Sequence, residues 1–446
     1  MQVTLTVTAG PHAGKAFAFA ERDSFLVGRS REAHFSLPRD DMYFSRRHFL
    51  VEVNPPRCRL LDLKSRNGTH VNGTRVESAE LADSDEIKAG HTVFRLSVTP
   101  LATADDDSPP LLSVPPEPLE SADWQWPAPA KPAGPPPKAE PRTLAVPVPM
   151  PAPTDVAATP TAVQSPGDAT FGGVTIPGYR PTKLLGEGGM GVVYQAVRLA
   201  DRAVVALKVL KTAPGVGEKQ VRRFEREAHI LDELRHPNIV GFHAAGAAGL
   251  HPYIVMEYVN GTDADALLRR DGPLPVRTAV GYTCQLLDAL EYAHGRGFVH
   301  RDIKPANMLL EDRGGSRAVR LADFGLARLY EVSQLSGVTL PGDRGGTVGF
   351  MAPEQVTHFR DASTPADQYA AAATLYYLLT GRYVFDFGEG MYPLVQILTE
   401  DAVPIRTRRA DVPAKLAEAI HRALAKEPRQ RFADVAAFRQ ALAAFG

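Results

Sequence analysis

Half of the chain's 38 prolines fall between residue 100 and about residue 172, mixed with Ala, Ser and Thr. Proline fixes φ and removes a backbone donor. Runs such as Pro135-Pro136-Pro137 and Pro147-Val148-Pro149 favour extended polyproline backbone. A segment of this kind buries too little apolar surface to offset the entropy lost on ordering. The composition therefore predicts a disordered linker over 100–177 and two separately folding regions, 1–99 and 178–446. Trp124-Gln125-Trp126 lies inside the linker and reads either as a partner motif or as two solvated aromatics.

The first region shows short alternating runs, among them Val3/Leu5/Val7, Phe17/Phe19, Leu50 to Val53, Leu60 to Leu63 and Phe94/Leu96/Val98. Asn67-Gly68 and Asn72-Gly73 are tight-turn dipeptides. The pattern predicts an all-β sandwich. The last region opens with strand-like runs (Val192 to Ala196, Val204 to Leu210, Tyr253 to Tyr258). Helical patterns follow, as in Val276 to His294 and Val412 to Ala425. A small β-rich part followed by a larger helical part is the order of a two-lobed α+β fold.

At 446 residues and a net charge of -1, the chain offers no bulk electrostatic case for nucleic acid or membrane. Its two cysteines, Cys58 and Cys284, lack metal spacing and read as reduced thiols. The N-terminus reads as a strand, not a leader. The most apolar stretch, Tyr369 to Leu379, is too short to span a bilayer and reads as a buried helix. The expected location is the cytoplasm.

The chemistry concentrates in His300-Arg301-Asp302-Ile303-Lys304-Pro305-Ala306-Asn307, with Asp323-Phe324-Gly325 beginning sixteen positions past Asn307. This order supplies a base, a cation and two oxygen ligands for a hard metal ion. Upstream, Gly186-Glu187-Gly188-Gly189-Met190-Gly191-Val192-Val193 places glycines where backbone N–H groups can lie over phosphates. Dinucleotide-binding loops share that spacing, but here a strand follows, not a helix. Lys208 closes Val205-Ala206-Leu207-Lys208, 17 residues past Gly191, and needs a carboxylate to hold it. The amphipathic stretch Gln220 to Leu234 offers Glu225 and Glu227.

In register, with Ala352-Pro353-Glu354 downstream, these motifs resemble the eukaryotic-like protein kinases over about residues 178–440. The resemblance implies ATP with Mg²⁺, or Mn²⁺ in its place, as cofactors. It implies a nucleotide cradle of Leu185 to Val193, with Met256 gating the adenine pocket and Glu257 and Val259 as hinge. Lys208 would contact the phosphates and Glu227 would hold Lys208. Asp302 would be the base, Lys304 the charge on the transferring phosphoryl group, and Asn307 and Asp323 the metal ligands. Lys304 and Thr347 point to serine or threonine acceptors. Asp367 and Arg431 would be structural, Arg431 pairing with Glu354. Arg301 would bind a phosphorylated loop residue, with Thr339 favoured over Ser333 and Ser336. Asn260, where relatives often carry an acid, and Ala370-Ala371-Ala372 depart from the family pattern.

Gly28-Arg29, Ser45-Arg46-Arg47-His48 and Asn67-Gly68, inside the all-β region, resemble a forkhead-associated (FHA) domain, a reader of phosphothreonine. The resemblance implies that Arg29 and Ser45 bind the phosphate beside Arg46. Arg66 and Asn67 would hold the peptide, and Gly28, His48 and Gly68 would shape the loops. The expected partners are protein substrates and phosphothreonine-bearing proteins, or the chain's own phosphorylated linker (Thr103, Thr143) or activation loop. A transient homodimer is among the assemblies this allows. The combination resembles bacterial signalling kinases: a serine/threonine kinase, autophosphorylating, with a docking module. The alternative is a non-catalytic scaffold binding nucleotide and phosphoproteins.

Overall fold

The computed structural model describes residues 1–19, 23–30, 33–37, 43–100, 171, 174–188, 191–212, 217–324, 348–357, 362–387 and 392–446. Gly189, Met190, Gly325, Ser333, Ser336, Thr339 and Thr347 lie outside the described residues, as do Thr103, Thr143 and the tryptophan pair.

The N-terminal region is a β-sandwich. One sheet has the order β2 (Ala16–Phe19), β1 (Gln2–Ala9), β11 (Thr92–Thr99), β10 (Glu86–Ala89), β7 (Thr69–Val71), β8 (Thr74–Val76). The other runs β4 (Phe35–Ser36), β3 (Asp23–Gly28), β5 (Phe49–Asn54), β6 (Arg57–Asp62), β9 (Ser78–Leu81). Alternate residues meet between the sheets, including Leu5, Phe25, Phe49, Val51, Leu60, Phe94 and Leu96. Asn72 (φ 49°) and Gly73 (φ 83°) form the two-residue connection of β7 to β8; two positive φ values are what a type I′ turn requires. Cys58 and Cys284 are free thiols. Burial, aided by the Glu80 charge, pushes Cys58 up to about 12 and keeps it protonated.

The C-terminal region has two lobes. The small lobe is an antiparallel sheet of order β12 (Tyr179–Glu187), β13 (Gly191–Arg198), β14 (Val204–Leu210), β16 (His251–Glu257), β15 (Phe242–Ala248). Helix α1 (Glu218–Ala228) packs on it through Val221, Phe224 and Ala228. The small lobe also takes in residues expected in the linker. Phe171 and Ile176 are buried against Ala196, Val205, Leu207 and Val255, so ordered structure resumes before residue 178.

The large lobe carries the three-stranded sheet β17 (Gly261–Asp263), β18 (Met308–Arg313), β19 (Ser316–Leu321). Its helices are α2 (Ala264–Asp271), α3 (Val276–His294), α4 (Pro353–Thr357), α5 (Thr364–Thr380), α6 (Pro393–Thr399), α7 (Ile405–Arg408), α8 (Ala414–Ala423) and α9 (Val435–Leu442). Helix α5 is apolar nearly all round and lies at the centre of the lobe, as Tyr369 to Leu379 predicted. The alanines at 370–372 are all buried there. Among the described residues, no helix is long and apolar enough to cross a membrane.

Candidate active site

The glycine-rich segment is a strand–turn–strand, with Glu187 paired to Val192 and Gly188 N–H bonded to Gly191 C=O at 2.9 Å. Its glycines serve different ends. A Cβ on Gly186 or Gly188 would meet nothing within 4 Å, so both leave open space above the cleft. A Cβ on Gly191 would lie 2.3 Å from Val209 C=O, so this glycine lets β13 close on β14. Lys211 Nζ binds Glu187 Oε1 at 2.7 Å and ties the turn to the end of β14. Leu185 is 41% exposed beside this turn, and Val193 pairs with Lys208 in register.

Strand β14 carries Lys208 into the interior, where it is 5% exposed. The expected Lys208–Glu227 pair is not formed. The buried stripe of α1 runs through Val221, Phe224 and Ala228, which turns Glu227 to solvent. Glu225, the other candidate, is half-buried. The stretch also departs from one continuous helix: α1 ends at Ala228 and a 3₁₀ turn, His229–Glu233, follows. Lys208 Nζ instead donates to Asp323 Oδ1 at 2.8 Å. Burial disfavours the Asp323 carboxylate, but Lys208, by charge and hydrogen bond, with Lys304 and His300 adding, more than offsets it. Its pKa lies below the ordinary value.

The loop from His300 to Asn307, expected to be catalytic, is fixed from beneath by one buried carboxylate. Asp367, at the start of α5 and 0% exposed, accepts three bonds. These come from His300 N–H (2.8 Å), Arg301 N–H (2.8 Å) and His294 Nε2 (2.9 Å). They hold Arg301 at φ +67°, a left-handed conformation unfavourable for a residue with a Cβ. His300 accepts from Asp302 N–H at Nδ1 (3.3 Å) and donates from Nε2 to Ala322 C=O (2.9 Å), which joins this loop to Asp323. Phe324 packs edge-on against His300, ring centroids 4.6 Å apart.

Above this base, Lys304 Nζ lies 2.8 and 3.1 Å from the two Asp302 oxygens. Asn307 Nδ2 donates to Asp302 C=O at 2.8 Å, which leaves its amide oxygen as the free-facing acceptor end. Asn307 C=O accepts from Ala322 N–H at 2.9 Å, so the two expected metal ligands sit on neighbouring, bonded segments. One amide oxygen and one carboxylate suit Mg²⁺, which keeps several waters and needs few protein ligands.

Glu257, expected at the hinge, turns its side chain against Arg320 and also accepts from Gly241 N–H at 3.2 Å. The other groups of the expected hinge are the Glu257 main chain and Val259, which is half-buried. Met256, paired with Ala206, precedes it. The Glu354–Arg431 pair is bidentate, at 2.5 and 2.7 Å. Arg431 also donates to Ala425, Pro365 and Lys426 carbonyls, so all five guanidinium N–H groups are used. Gln355 escaped the sequence reading. Its Nε2 donates to Arg301 C=O at 2.8 Å and its Oε1 accepts from Ala352 N–H, linking α4 to the catalytic loop. A lone glutamine after a motif gives no signal of that kind.

At the other end of the chain, the loops expected to read phosphothreonine are bonded together. Arg29 N–H donates to Ser45 C=O (3.0 Å), and Arg66 N–H donates to Ser45 Oγ (3.0 Å). His48, fully buried, accepts from Ser45 N–H at Nδ1 (3.1 Å), and its Nε2 meets Gly68 C=O (3.3 Å). A Cβ on Gly28 would lie 2.2 Å from Arg46 C=O, so only glycine lets this loop approach β3. Asn67 Nδ2 donates to Tyr43 C=O at 2.9 Å. Arg46 and Arg66 are exposed. Arg47, the adjacent arginine, reaches the large lobe (below), a difference no dipeptide reveals.

A five-stranded lobe over a helical lobe, with these loops between them, defines a fold of the protein kinase type. The protein kinase domain family matches residues 179–443, more than half of the chain, and the FHA domain family matches residues 25–90. The chain belongs to the protein kinase domain family and carries an FHA domain. Serine/threonine-protein kinase pkn3 of Myxococcus xanthus is 37% identical over 273 residues, 60% of this chain and 49% of that protein. Serine/threonine-protein kinase PknF of Mycobacterium tuberculosis is 36% identical over 273 residues, 60% of this chain and 56% of that protein. The chain thus spans about half the length of these curated relatives. Among solved structures, the Mycobacterium tuberculosis PknI kinase domain is 31% identical, covers 62% of this chain and 100% of its own, and has a TM-score of 0.48.

Proposed function

We propose that this chain is a serine/threonine protein kinase that transfers the γ-phosphoryl group of ATP to protein hydroxyls. The observation that carries the reading is the Asp302 cluster: Lys304 on both carboxylate oxygens, Asn307 on its carbonyl, and Asp323 joined through His300. Asn307 and Asp323 are the residues that would hold Mg²⁺ (or Mn²⁺), which would supply positive charge for the transfer. Asp302 accepts the proton of the attacking hydroxyl. Lys304 stays beside that carboxylate and places its charge at the transferring group. Lys208 contacts the phosphates; for Glu227 to hold it, helix α1 must turn about its axis. The glycine turn Gly186 to Val193, with Leu185, Glu257 main chain and Val259, encloses the nucleotide.

The FHA domain is read as a phosphothreonine-binding module in which Arg29 and Ser45 take the phosphate. Arg46 lies beside it, and Arg66 and Asn67 lie along the peptide. Its ligands are phosphothreonine proteins, including the chain's own linker or activation loop after autophosphorylation. Arg301 and Thr339 are the pair through which such phosphorylation orders that loop. The test is Mg²⁺-dependent transfer to a generic protein substrate, scored by acceptor residue. Phosphoserine and phosphothreonine, lost in Asn307→Ala, support the reading. Transfer unaffected by Asn307→Ala, or confined to tyrosine, overturns it.

A further inference from the structure

The second sheet of the FHA sandwich carries an apolar row on its outer face as well as its apolar inner face. In β5 the run Phe49-Leu50-Val51 is entirely buried. Phe49 and Val51 enter the sandwich core, and the period of two turns Leu50 the opposite way. Strand register sets Leu26 opposite Leu50 and Leu50 opposite Leu61, so three leucines form one transverse row on the outer face. They are only 0%, 0% and 1% exposed. With Leu63 they belong to the apolar cluster of the large lobe, which includes Val356 of α4 and Val395 and Leu398 of α6.

Polar contacts frame that row. Ser24 Oγ, beside it on β3, donates to Thr357 C=O at the end of α4 (2.9 Å). Lys64 Nζ meets Glu400 Oε1 at 3.0 Å. The Arg59 guanidinium lies 5.4 Å from the centre of the Tyr392 ring, whose hydroxyl bonds Ser78 Oγ. Arg47 donates to Leu398 C=O at 3.0 Å and pairs with Glu427 at 3.4 Å.

We propose that the FHA domain is a docked part of its own kinase, seated by the Leu26–Leu50–Leu61 row on α4 and α6, where it holds α4 against the catalytic loop. The occupant of the row is the large lobe of the same chain. The lobe's contacts match the row's position, and the covalent connection keeps the two at high effective concentration. A contiguous leucine row left to solvent is an association surface, and docking removes it. The mechanical route is short. Thr357 is held by Ser24, and on the same helix Gln355 holds Arg301, the residue before the base. Arg47 belongs to the loop that carries Ser45 and Arg46, so docking and peptide reading share a segment and influence each other reciprocally.

The test is zero-length carbodiimide cross-linking of the full chain, using a mixture of unlabelled and ¹⁵N-labelled protein. Docking predicts a Lys64–Glu400 linked peptide in light–light and heavy–heavy form only. Leu50→Asp then reduces it at least tenfold, speeds amide exchange over residues 353–357 and lowers turnover, while protection of β1 and β11 shows that the sandwich remains folded. Should Leu50→Asp unfold the sandwich, the surface variant Arg47→Glu/Lys64→Glu gives the same exchange readout. A mainly light–heavy product, which would place a second copy on the row, overturns the proposal. So does no Lys64–Glu400 product in the wild type, or unchanged exchange over 353–357 in a folded variant.

Discussion

Replacing Asp367 by asparagine exchanges one carboxylate oxygen for an NH₂ group and leaves the shape of the side chain intact. The wild-type carboxylate accepts from His300 N–H and His294 Nε2 on one oxygen and from Arg301 N–H on the other. The best amide orientation keeps its oxygen on the two histidine donors and turns its NH₂ toward Arg301 N–H. One charge-assisted hydrogen bond is then lost, about 1.5–3 kcal/mol, and a buried donor is left unsatisfied, about 1–3 kcal/mol. The sum is about 2.5–6 kcal/mol. Arg301 holds a left-handed backbone that itself costs about 1–2 kcal/mol, and the lost bond is what offset it. Part of the loss therefore appears as a loop that leaves its catalytic geometry, and about 1.4 kcal/mol of that is tenfold in rate. The expected result is a kcat lowered about tenfold or more, a KM for ATP nearly unchanged, and a lower denaturation midpoint. Asp367 is a positioning residue here, so the kcat-against-KM split is the informative readout. Wild-type kcat and wild-type stability in Asp367→Asn would refute the reasoning.

Other consequences follow from the same geometry. Arg431→Ala leaves the half-buried Glu354 without its bidentate partner and strands three carbonyls; the lost charge-assisted hydrogen bonding costs about 1.5–3 kcal/mol, to be read by denaturant unfolding of the full chain. Asp323 has a folded pKa below its ordinary 3.8, so its pair with Lys208 contributes stability fully present above that value and lost as pH falls through the folded pKa. The stability difference between wild type and Asp323→Asn is therefore flat at neutral pH and shrinks below about pH 4; a difference that grows on acidification contradicts the assignment. Gly28→Ala forces a Cβ onto Arg46 C=O, a strain of about 1–3 kcal/mol, and weakens phosphothreonine-peptide binding with Arg29 and Ser45 intact. Calorimetric titration with a phosphorylated and an unphosphorylated linker peptide checks it.

Much of this was legible because period and chemistry coincide along the chain. Val204–Leu210 and Val276–His294 form the strand and helix their patterns predict, and the loop from His300 to Asn307 closes around Asp302. What was not legible depends on the third dimension. A helix-length amphipathic stretch was visible from Gln220 to Leu234. Where the helix stops, and which of Glu225 and Glu227 faces solvent, is decided by packing of Val221 and Phe224 on the sheet. Gly191 belongs to the glycine-rich motif in sequence but to strand packing in space, because the approach of Val209 is a tertiary fact. The run Phe49-Leu50-Val51 did carry a signal that alternation obscured. Three consecutive apolar residues in a strand mean that both faces are covered, so a further layer was implied behind the sandwich. Phe171 and Ile176 were lost in the low-complexity composition before them, though two isolated large apolar residues suffice to anchor a segment.

The central claim, that Asp302 and its neighbours make this chain a protein kinase, meets its most direct test in one incubation. Purified full chain and Asp302→Ala are each given labelled ATP with Mg²⁺ and a generic protein substrate, and every phosphosite is mapped. The account predicts phosphoserine and phosphothreonine on the substrate and on the chain itself with the wild type, and neither with the variant. Equal labelling by both proteins, or none by either while nucleotide binds, would contradict it and leave the scaffold reading in its place.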